Sequence, residues 1–303
     1  MEIGLIGLGR MGAGMARRLA RAGARVVCYD HAEAAVEAMK SEPNIDCAEN
    51  LAAMCARLTG ERVIVIMLPA GEAVEHTLRE LVPLLSAGDT VVDGGNSYYR
   101  DAKRRALALS QQGVRYIDAG VSGGVRGEQH GYCLMLGGTP KSIEIFEPFA
   151  RALAPHPESG WLHCGPSGAG HYAKMIHNGI EYGMMQALAE GFALLAARPE
   201  LDIDAARLAE TWRHGSVVRS WLLDLCAEIF KSNEKLAGIA PLVADSGEGR
   251  WTALEAIELG VPAPVITMAL MGRFSSQGRS DYARRLLAMM RAGFGGHAVQ
   301  KEP

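Results

Sequence analysis

Through the first half of the chain, short apolar runs alternate with stretches of helical period. EIGLI (2–6), ARVVCYD (24–30), RVIVIMLP (62–69), DTVVDGG (89–95), VRYIDAG (114–120) and YCLML (132–136) are each bounded by Gly, Asp or Pro and predict buried strands. Between them, apolar spacing predicts helices over 11–22, 32–40, 71–85, 98–110 and 140–153. Strands that alternate with helices imply right-handed crossovers and a mostly parallel sheet. After the strand-like WLHC (161–164) the period changes. From there the pattern predicts helices alone, over 170–197, 204–213, 217–231, 250–260, 263–274 and 280–291. The expected architecture is an α/β domain over 1–165 followed by an all-helical domain over 166–303. The Gly-rich end, GFGGHAVQKEP, is expected to be irregular and able to reach beyond its own domain.

Composition adds limits. A chain of 303 residues with 49% hydrophobic and 21% charged residues can bury two cores and fits a globular protein. The formal charge of −3 offers no global basic field, so no nucleic-acid or anionic-membrane partner is expected. The first residues run straight into a strand, and no apolar run approaches a bilayer-spanning length. Six cysteines without a CxxC pair or a His/Cys cluster predict reduced, mostly buried thiols, a cytoplasmic setting and no metal site.

Gly7-Leu8-Gly9-Arg10-Met11-Gly12 fits GxGxxG, a weak signal alone. Here a strand ends at Ile6, a helix opens near Met11 and a second strand follows, which is the setting of a dinucleotide-binding Rossmann turn. Asp30 ends that second strand, 18 residues after Gly12, where a carboxylate can accept from an adenosine ribose and would repel a 2′-phosphate. NAD is therefore favoured over NADP, although Arg10, and more weakly His31, could help hold either. Leu68 and Pro69 end another strand at the carboxyl edge of the sheet, where the dinucleotide binds, with Pro69 shaping the loop. DGGNS (93–97) and DAGVSGG (118–124) end two more there, setting Asn96 and Ser122 beside the nicotinamide region.

HYAKMIHNGIEY (171–182) carries two opposed stripes. Tyr172, Met175, Ile176, Gly179 and Ile180 share one face; His171, Lys174, His177, Asn178 and Glu181 share the other. A solvated surface is the plain reading of the second stripe. Against it, the helix runs on as the apolar GMMQALAEGFALLAA, which predicts a buried element. Lysine is also not this chain's usual cation: of 31 basic residues, seven are Lys and 24 Arg. A buried polar stripe needs partners, which a cleft holding a polar ligand supplies. A desolvated lysine can act as a base, with the carboxylate serving a second carbon.

These residues are familiar together. GLGRMG, MLPAG, DGGNS, DAGVSGG and above all GAGHYAKMIHNGIEY resemble the decarboxylating 6-phosphogluconate dehydrogenases, within the β-hydroxyacid dehydrogenase superfamily. The resemblance extends to GRWTALEA…GVP (249–262) and to the tail, and it fits the short, NAD-preferring subfamily. It implies that Asn96, Ser122, Gly123 and Gly124 hold the carboxylate and hydroxyl end of a phosphorylated sugar acid. It implies that Lys174 removes the 3-hydroxyl proton and then polarises the ketone as CO2 leaves, and that Glu181 protonates C1 of the enediol to give ribulose 5-phosphate. His177 and Asn178 would orient the substrate and Lys174. Tyr182, Arg273, Arg291 and His297 match phosphate-end positions, the last two lying on the tail of the same or a neighbouring subunit in a homodimer or homotetramer. Ser246 and Glu248 stand where long-form members carry a Lys and a Thr, so the phosphate contacts of that loop differ here. Two other readings remain open at this point. One is dehydrogenation of a smaller β-hydroxyacid without decarboxylation; the other is a non-catalytic NAD sensor.

Overall fold

The computed structural model describes residues 1–233, 236–295 and 298–300. Eight strands, β1 (Glu2–Ile6), β2 (Arg25–Tyr29), β3 (Ile45–Cys47), β4 (Val63–Ile66), β5 (Thr90–Asp93), β6 (Arg115–Ser122), β7 (Cys133–Gly137) and β8 (Trp161–Gly165), form one sheet. Their order is β3-β2-β1-β4-β5-β6-β7-β8, and every neighbouring pair is parallel except β6 with β7. The order reverses direction between β1 and β4, so their carboxyl ends frame the crevice in which ligands bind to such sheets.

The helices are α1 (Arg10–Arg21), α2 (Glu33–Glu37), α3 (Leu51–Arg57), α4 (Glu72–Leu81), α5 (Tyr99–Ser110), α6 (Gly127–His130), α7 (Pro140–Leu153), α8 (Ala169–Ala196), α9 (Ala205–Trp212), α10 (Trp221–Asn233), α11 (Glu248–Leu259), α12 (Pro264–Ser276) and α13 (Asp281–Gly295). By internal packing the chain divides into residues 1–175 and 176–303, a line that α8 crosses unbroken. The sequence-based line at 165 follows the change of element type instead.

In the first unit the strand period of two divides side chains between two cores. Ile3, Leu5, Val63 and Val65 pack with Met15 and Leu19 of α1 and with Phe146 and Phe149 of α7. Ile64 and Ile66, with Leu78 and Leu81 of α4 and Ala102 and Leu109 of α5, fill the opposite face. In the second unit, Phe192, Ala209, Leu223 and Ala227 form one small core, and Tyr182, Ala253, Ala269 and Leu270 another.

Four expectations need correction. Residues 45–47 and 51–57 form β3 and α3, neither of which the periodicity marked; β3 has only three residues and only Val26–Cys28 to pair with. The apolar part of α8 is not buried all round: Met184, Met185 and Leu194 are 43%, 38% and 73% exposed. The second unit's small cores take one side of that helix only. The first three residues of the tail, Gly293–Gly295, are helical, because α13 runs on to Gly295. Finally, of the six free cysteines only Cys28 and Cys55 are buried, and Cys133 is exposed. Among the described residues no helix is long and apolar enough to cross a membrane.

Candidate active site

The turn from β1 to α1 is held by close backbone packing. Gly7 has φ +95°, and a β-carbon there would lie 2.5 Å from the Met67 carbonyl oxygen. A β-carbon at Gly12 would run into the Gly7 carbonyl. Gly9 differs: a β-carbon there meets nothing within 4 Å, and its φ of −62° and ψ of −178° suit any residue. Protein packing therefore does not require glycine at 9, whereas close approach of a ligand does. Gly9 offers α1 no side-chain cap and the first turn has no acid, so the helix opens with unclaimed N–H groups at its positive end. This fits a pyrophosphate.

Asp30 leaves β2 beside this turn. Its Oδ2 accepts from the Leu8 N–H at 2.6 Å and its Oδ1 from the Ala32 N–H at 2.8 Å, and its side chain is only 8% exposed. The carboxylate thus braces the turn, and its remaining lone pairs can still accept from hydroxyls. Arg10 is exposed, Met11 and Leu68 are half-buried, and Pro69 is exposed. Gly95 packs tightly on the Leu68 carbonyl, with a built β-carbon 2.6 Å from it, which ties the DGGNS loop to the MLP loop and leaves Asn96 outermost.

Beneath that loop lies a charged cluster that the sequence reading missed. Asp93 is fully buried, accepting from Arg105 Nη1 at 2.8 Å, the Tyr116 hydroxyl at 3.0 Å and the Gly95 N–H at 3.1 Å. His171 Nε2 lies 3.5 Å away without hydrogen-bond alignment, so Arg105 is the firmer tie. Burial alone would push the Asp93 carboxyl up; the adjacent imidazole and guanidinium more than reverse this and hold it well below the usual range. Burial, reinforced by the Asp93 charge, pushes the Tyr116 phenol well above its ordinary value. His171 is 2% exposed and belongs to this cluster, so it does not share an accessible stripe with Lys174. Its partner is 78 positions earlier in the chain, out of reach of any helical period.

Asp118, expected near the end of a strand, also anchors α8. Its Oδ1 accepts from the Gly168 N–H at 2.6 Å and its Oδ2 from the His171 N–H at 2.9 Å, a carboxylate on the helix N-terminus. Two residues on, Gly120 backs directly onto Lys174: a built β-carbon would lie 3.2 Å from Lys174 Cγ, nearer still to its Cβ, and 2.8 Å from the Gly170 carbonyl oxygen. Asp118 and Gly120 thus seat the half-buried Lys174 on the carboxyl half of β6, the strand that ends at Ser122. Ser122 and Gly123 are partly buried and Gly124 exposed just beyond.

In the second unit, α8 presents His177, Asn178 and Glu181. His177 Nδ1 lies 3.0 Å from Asn178 Oδ1 and 4.0 Å from Glu181 Oε2. Asn178 Nδ2 donates at 2.5 Å to Glu248 Oε1. Glu181 is 39% exposed in its side chain. On the buried side, the Tyr182 hydroxyl lies 3.0 Å from Ser246 Oγ and 3.3 Å from Asp245 Oδ1, and the Arg273 guanidinium sits 3.4 Å over the Tyr182 ring. Arg273 also donates to the Ala244 carbonyl at 2.8 Å. Arg291 is exposed within α13, and His297 lies outside the described residues. Among the described residues no group of three or more His, Cys, Asp or Glu could hold a metal ion.

Comparison with known proteins agrees over the whole chain. Residues 2–163 match the family described as the NAD binding domain of 6-phosphogluconate dehydrogenase, and residues 170–299 match the 6-phosphogluconate dehydrogenase C-terminal domain. A protein of Bacillus subtilis (strain 168) is 42% identical over 302 residues, covering 100% of both chains. A Haloferax volcanii protein named 6-phosphogluconate dehydrogenase, NAD(+)-dependent, decarboxylating, is 43% identical over 303 residues, covering 100% of this chain and 99% of its own. The solved Plasmodium falciparum 6-phosphogluconate dehydrogenase, studied with NADP+ and with 6-phosphogluconate, is 28% identical with a TM-score of 0.83. The match covers 100% of this chain and 67% of that one.

Proposed function

The chain belongs to the 6-phosphogluconate dehydrogenase family, and from that premise we propose the residues by which it oxidises and decarboxylates 6-phosphogluconate to ribulose 5-phosphate and CO2 with reduction of NAD. The observation that carries the assignment is the seat of Lys174 against Gly120, on the strand that leads to Ser122, with Glu181 two turns further along the same helix. The family resemblance gives the two different carbons: Lys174 serves C3, and Glu181 the neighbouring carbon from which CO2 leaves.

The turn Gly7–Gly12, with Leu8, Arg10, Met11, Leu68, Pro69 and Asn96 around it and Asp30 behind it, would hold the dinucleotide. NAD, when bound there, would supply the acceptor for the C3 hydride. Lys174 takes the proton of the 3-hydroxyl, and Asn96 with Ser122, Gly123 and Gly124 holds the carboxylate end. Carrying that proton, Lys174 donates a hydrogen bond to the new ketone oxygen and drains charge from the β-keto acid as the C1–C2 bond releases CO2. Glu181 delivers a proton to the enediol carbon, which completes ribulose 5-phosphate. His177 and Asn178 orient the hydroxyls. Tyr182 and Arg273 serve the phosphate end, with Arg291 and His297 of the tail. Asp30 favours NAD, and the weaker use of NADP remains open to the same fold. The working enzyme is a cytoplasmic homodimer or homotetramer; the exposed apolar side chains of Ile257 and Met268 support assembly.

Steady-state turnover of 6-phosphogluconate with NAD and with NADP, following NADH or NADPH and released CO2 together, tests the reading. Equal yields of NADH and CO2, with NAD preferred, are expected. NADH without CO2 would transfer the assignment to dehydrogenation of a β-hydroxyacid alone.

A further inference from the structure

Glu248, the first residue of α11, is 2% exposed and stands outside every role assigned above. Its two carboxylate oxygens are both claimed at close range: Oε1 by Asn178 Nδ2 at 2.5 Å and Oε2 by the Ser246 hydroxyl at 2.5 Å. Ser246 in turn lies 3.0 Å from the Tyr182 hydroxyl and donates its backbone N–H to it at 3.2 Å. A carboxylate only accepts hydrogen bonds, whereas an amide offers an accepting end and a donating end. Glu248 therefore decides which end of Asn178 points where. The NH2 must face Glu248, which leaves Oδ1 toward His177 Nδ1 at 3.0 Å. The reverse orientation would set an amide oxygen against a carboxylate oxygen at 2.5 Å, two acceptors in repulsion.

Asn178 Oδ1 cannot donate, so the proton of this contact belongs to His177 Nδ1. The Glu181 carboxylate, 4.0 Å from the same nitrogen, favours a proton there too. In the neutral imidazole one nitrogen is the donor and the other the acceptor, so Nε2 is left with an open lone pair. We propose that Glu248 is a positioning residue that sets the tautomer of His177 through the Asn178 amide, turning Nε2 into an acceptor for a hydroxyl of the bound sugar acid. The relay is built from residues 177, 178 and 248 of the second unit, with Ser246 holding the far oxygen of the carboxylate. It deepens the role given above to His177 and rests on that reading for the identity of the hydroxyl. The relay itself rests on geometry alone. Ser246 and Glu248 thereby gain a function in place of a direct phosphate contact.

The test reads the tautomer without turnover. In the full chain labelled with 15N-histidine, long-range 1H–15N correlation spectra assign His177 by the signal lost in His177→Asn. The expected spectrum of the native chain has a protonated Nδ1 and an unprotonated Nε2. Glu248→Gln, whose amide can present either end, should mix the two tautomers and lower kcat roughly ten-fold, the scale of one misdirected hydrogen bond, with the KM for NAD unchanged. A native Nε2–H tautomer overturns the proposal, as does Glu248→Gln with an unaltered tautomer. If Glu248→Gln does not fold, Asn178→Ala cuts the same relay at its centre, and a retained Nδ1–H bias there overturns it equally. Failure of 6-phosphogluconate turnover in the native chain would remove the substrate assignment and leave the spectra to decide the relay.

Discussion

Gly120→Ala adds one methyl group at the point where β6 meets α8. The added carbon would lie 2.8 Å from the Gly170 carbonyl oxygen, where ordinary contact begins at 3.4 Å, so the helix backbone must retreat by at least 3.4 − 2.8 = 0.6 Å. Lys174 Cβ, which is closer still, moves with it. Neither neighbour can yield by changing a rotamer, because one is backbone and the other is the root of a side chain. Overpacking of this kind costs about 1–3 kcal/mol of stability. The larger effect falls on the chemistry, since a 1 Å misplacement of a reacting group can lower a rate about 100-fold; a displacement of 0.6 Å or more should lower kcat by roughly 10- to 100-fold. The dinucleotide turn at Gly7–Gly12 is braced by Met67 and Asp30 instead, so the Kd for NAD should hardly change. Steady-state kinetics, NAD titration by calorimetry and a thermal melt on one preparation separate these effects. A folded Gly120→Ala enzyme with native kcat would refute the argument that this seat places the reacting lysine.

Gly9→Ala should leave the melting temperature unchanged, because the new methyl meets no protein atom, yet weaken NAD by at least about tenfold (about 1.4 kcal/mol) where the pyrophosphate approaches; calorimetry with unchanged NAD affinity would place the phosphates elsewhere. Asp93→Asn leaves the Arg105 guanidinium, 2% exposed in its side chain, with Glu75 at 2.9 Å as its remaining counter-charge and should cost about 1–3 kcal/mol at pH 7. Since the folded-state pKa of Asp93 is depressed, its contribution is present above the unfolded carboxyl value and is lost as pH falls toward the folded one. The gap in urea midpoint between native chain and variant should therefore narrow below about pH 4, and a gap that widens there would contradict the assignment. Asp30→Asn should narrow the preference for NAD, measured as the ratio of kcat/KM with the two cofactors, and an unchanged ratio would free Asp30 of that role.

The parts of this protein that follow a local period were open to reading from the residues. The strand-helix alternation, the GxGxxG turn and the long helix carrying Lys174 and Glu181 all depend on neighbours within a few positions. What escaped depends on partners far apart in sequence. Asp93 meets Arg105, Tyr116 and His171; Asp118 caps a helix that begins 51 positions later, at Ala169; Glu248 bonds Asn178 across 70 positions. No periodicity announces such pairs, although an acidic residue at the end of an otherwise apolar strand is a hint that it has buried partners to find. The polar stripe on 171–182 spans two environments. His171 is locked beneath the DGGNS loop, while His177 and Glu181 keep about two-fifths of their side chains accessible. The apolar remainder of α8 misled in a different way, because composition tells how much a helix could bury and not how much of it its own fold covers.

The central claim is that the Lys174 amine takes and returns the proton that lets C3 of the sugar acid be oxidised. Lys174→Met, which keeps the length of the side chain and removes the amine, should be mixed with NAD and 6-phosphogluconate in a stopped-flow instrument and compared with the native chain at equal occupancy of cofactor, established by calorimetry. The account predicts NADH formation slowed by at least about 1,000-fold, with NAD affinity within a factor of about two. NADH appearing in the variant at a rate near that of the native chain would contradict it.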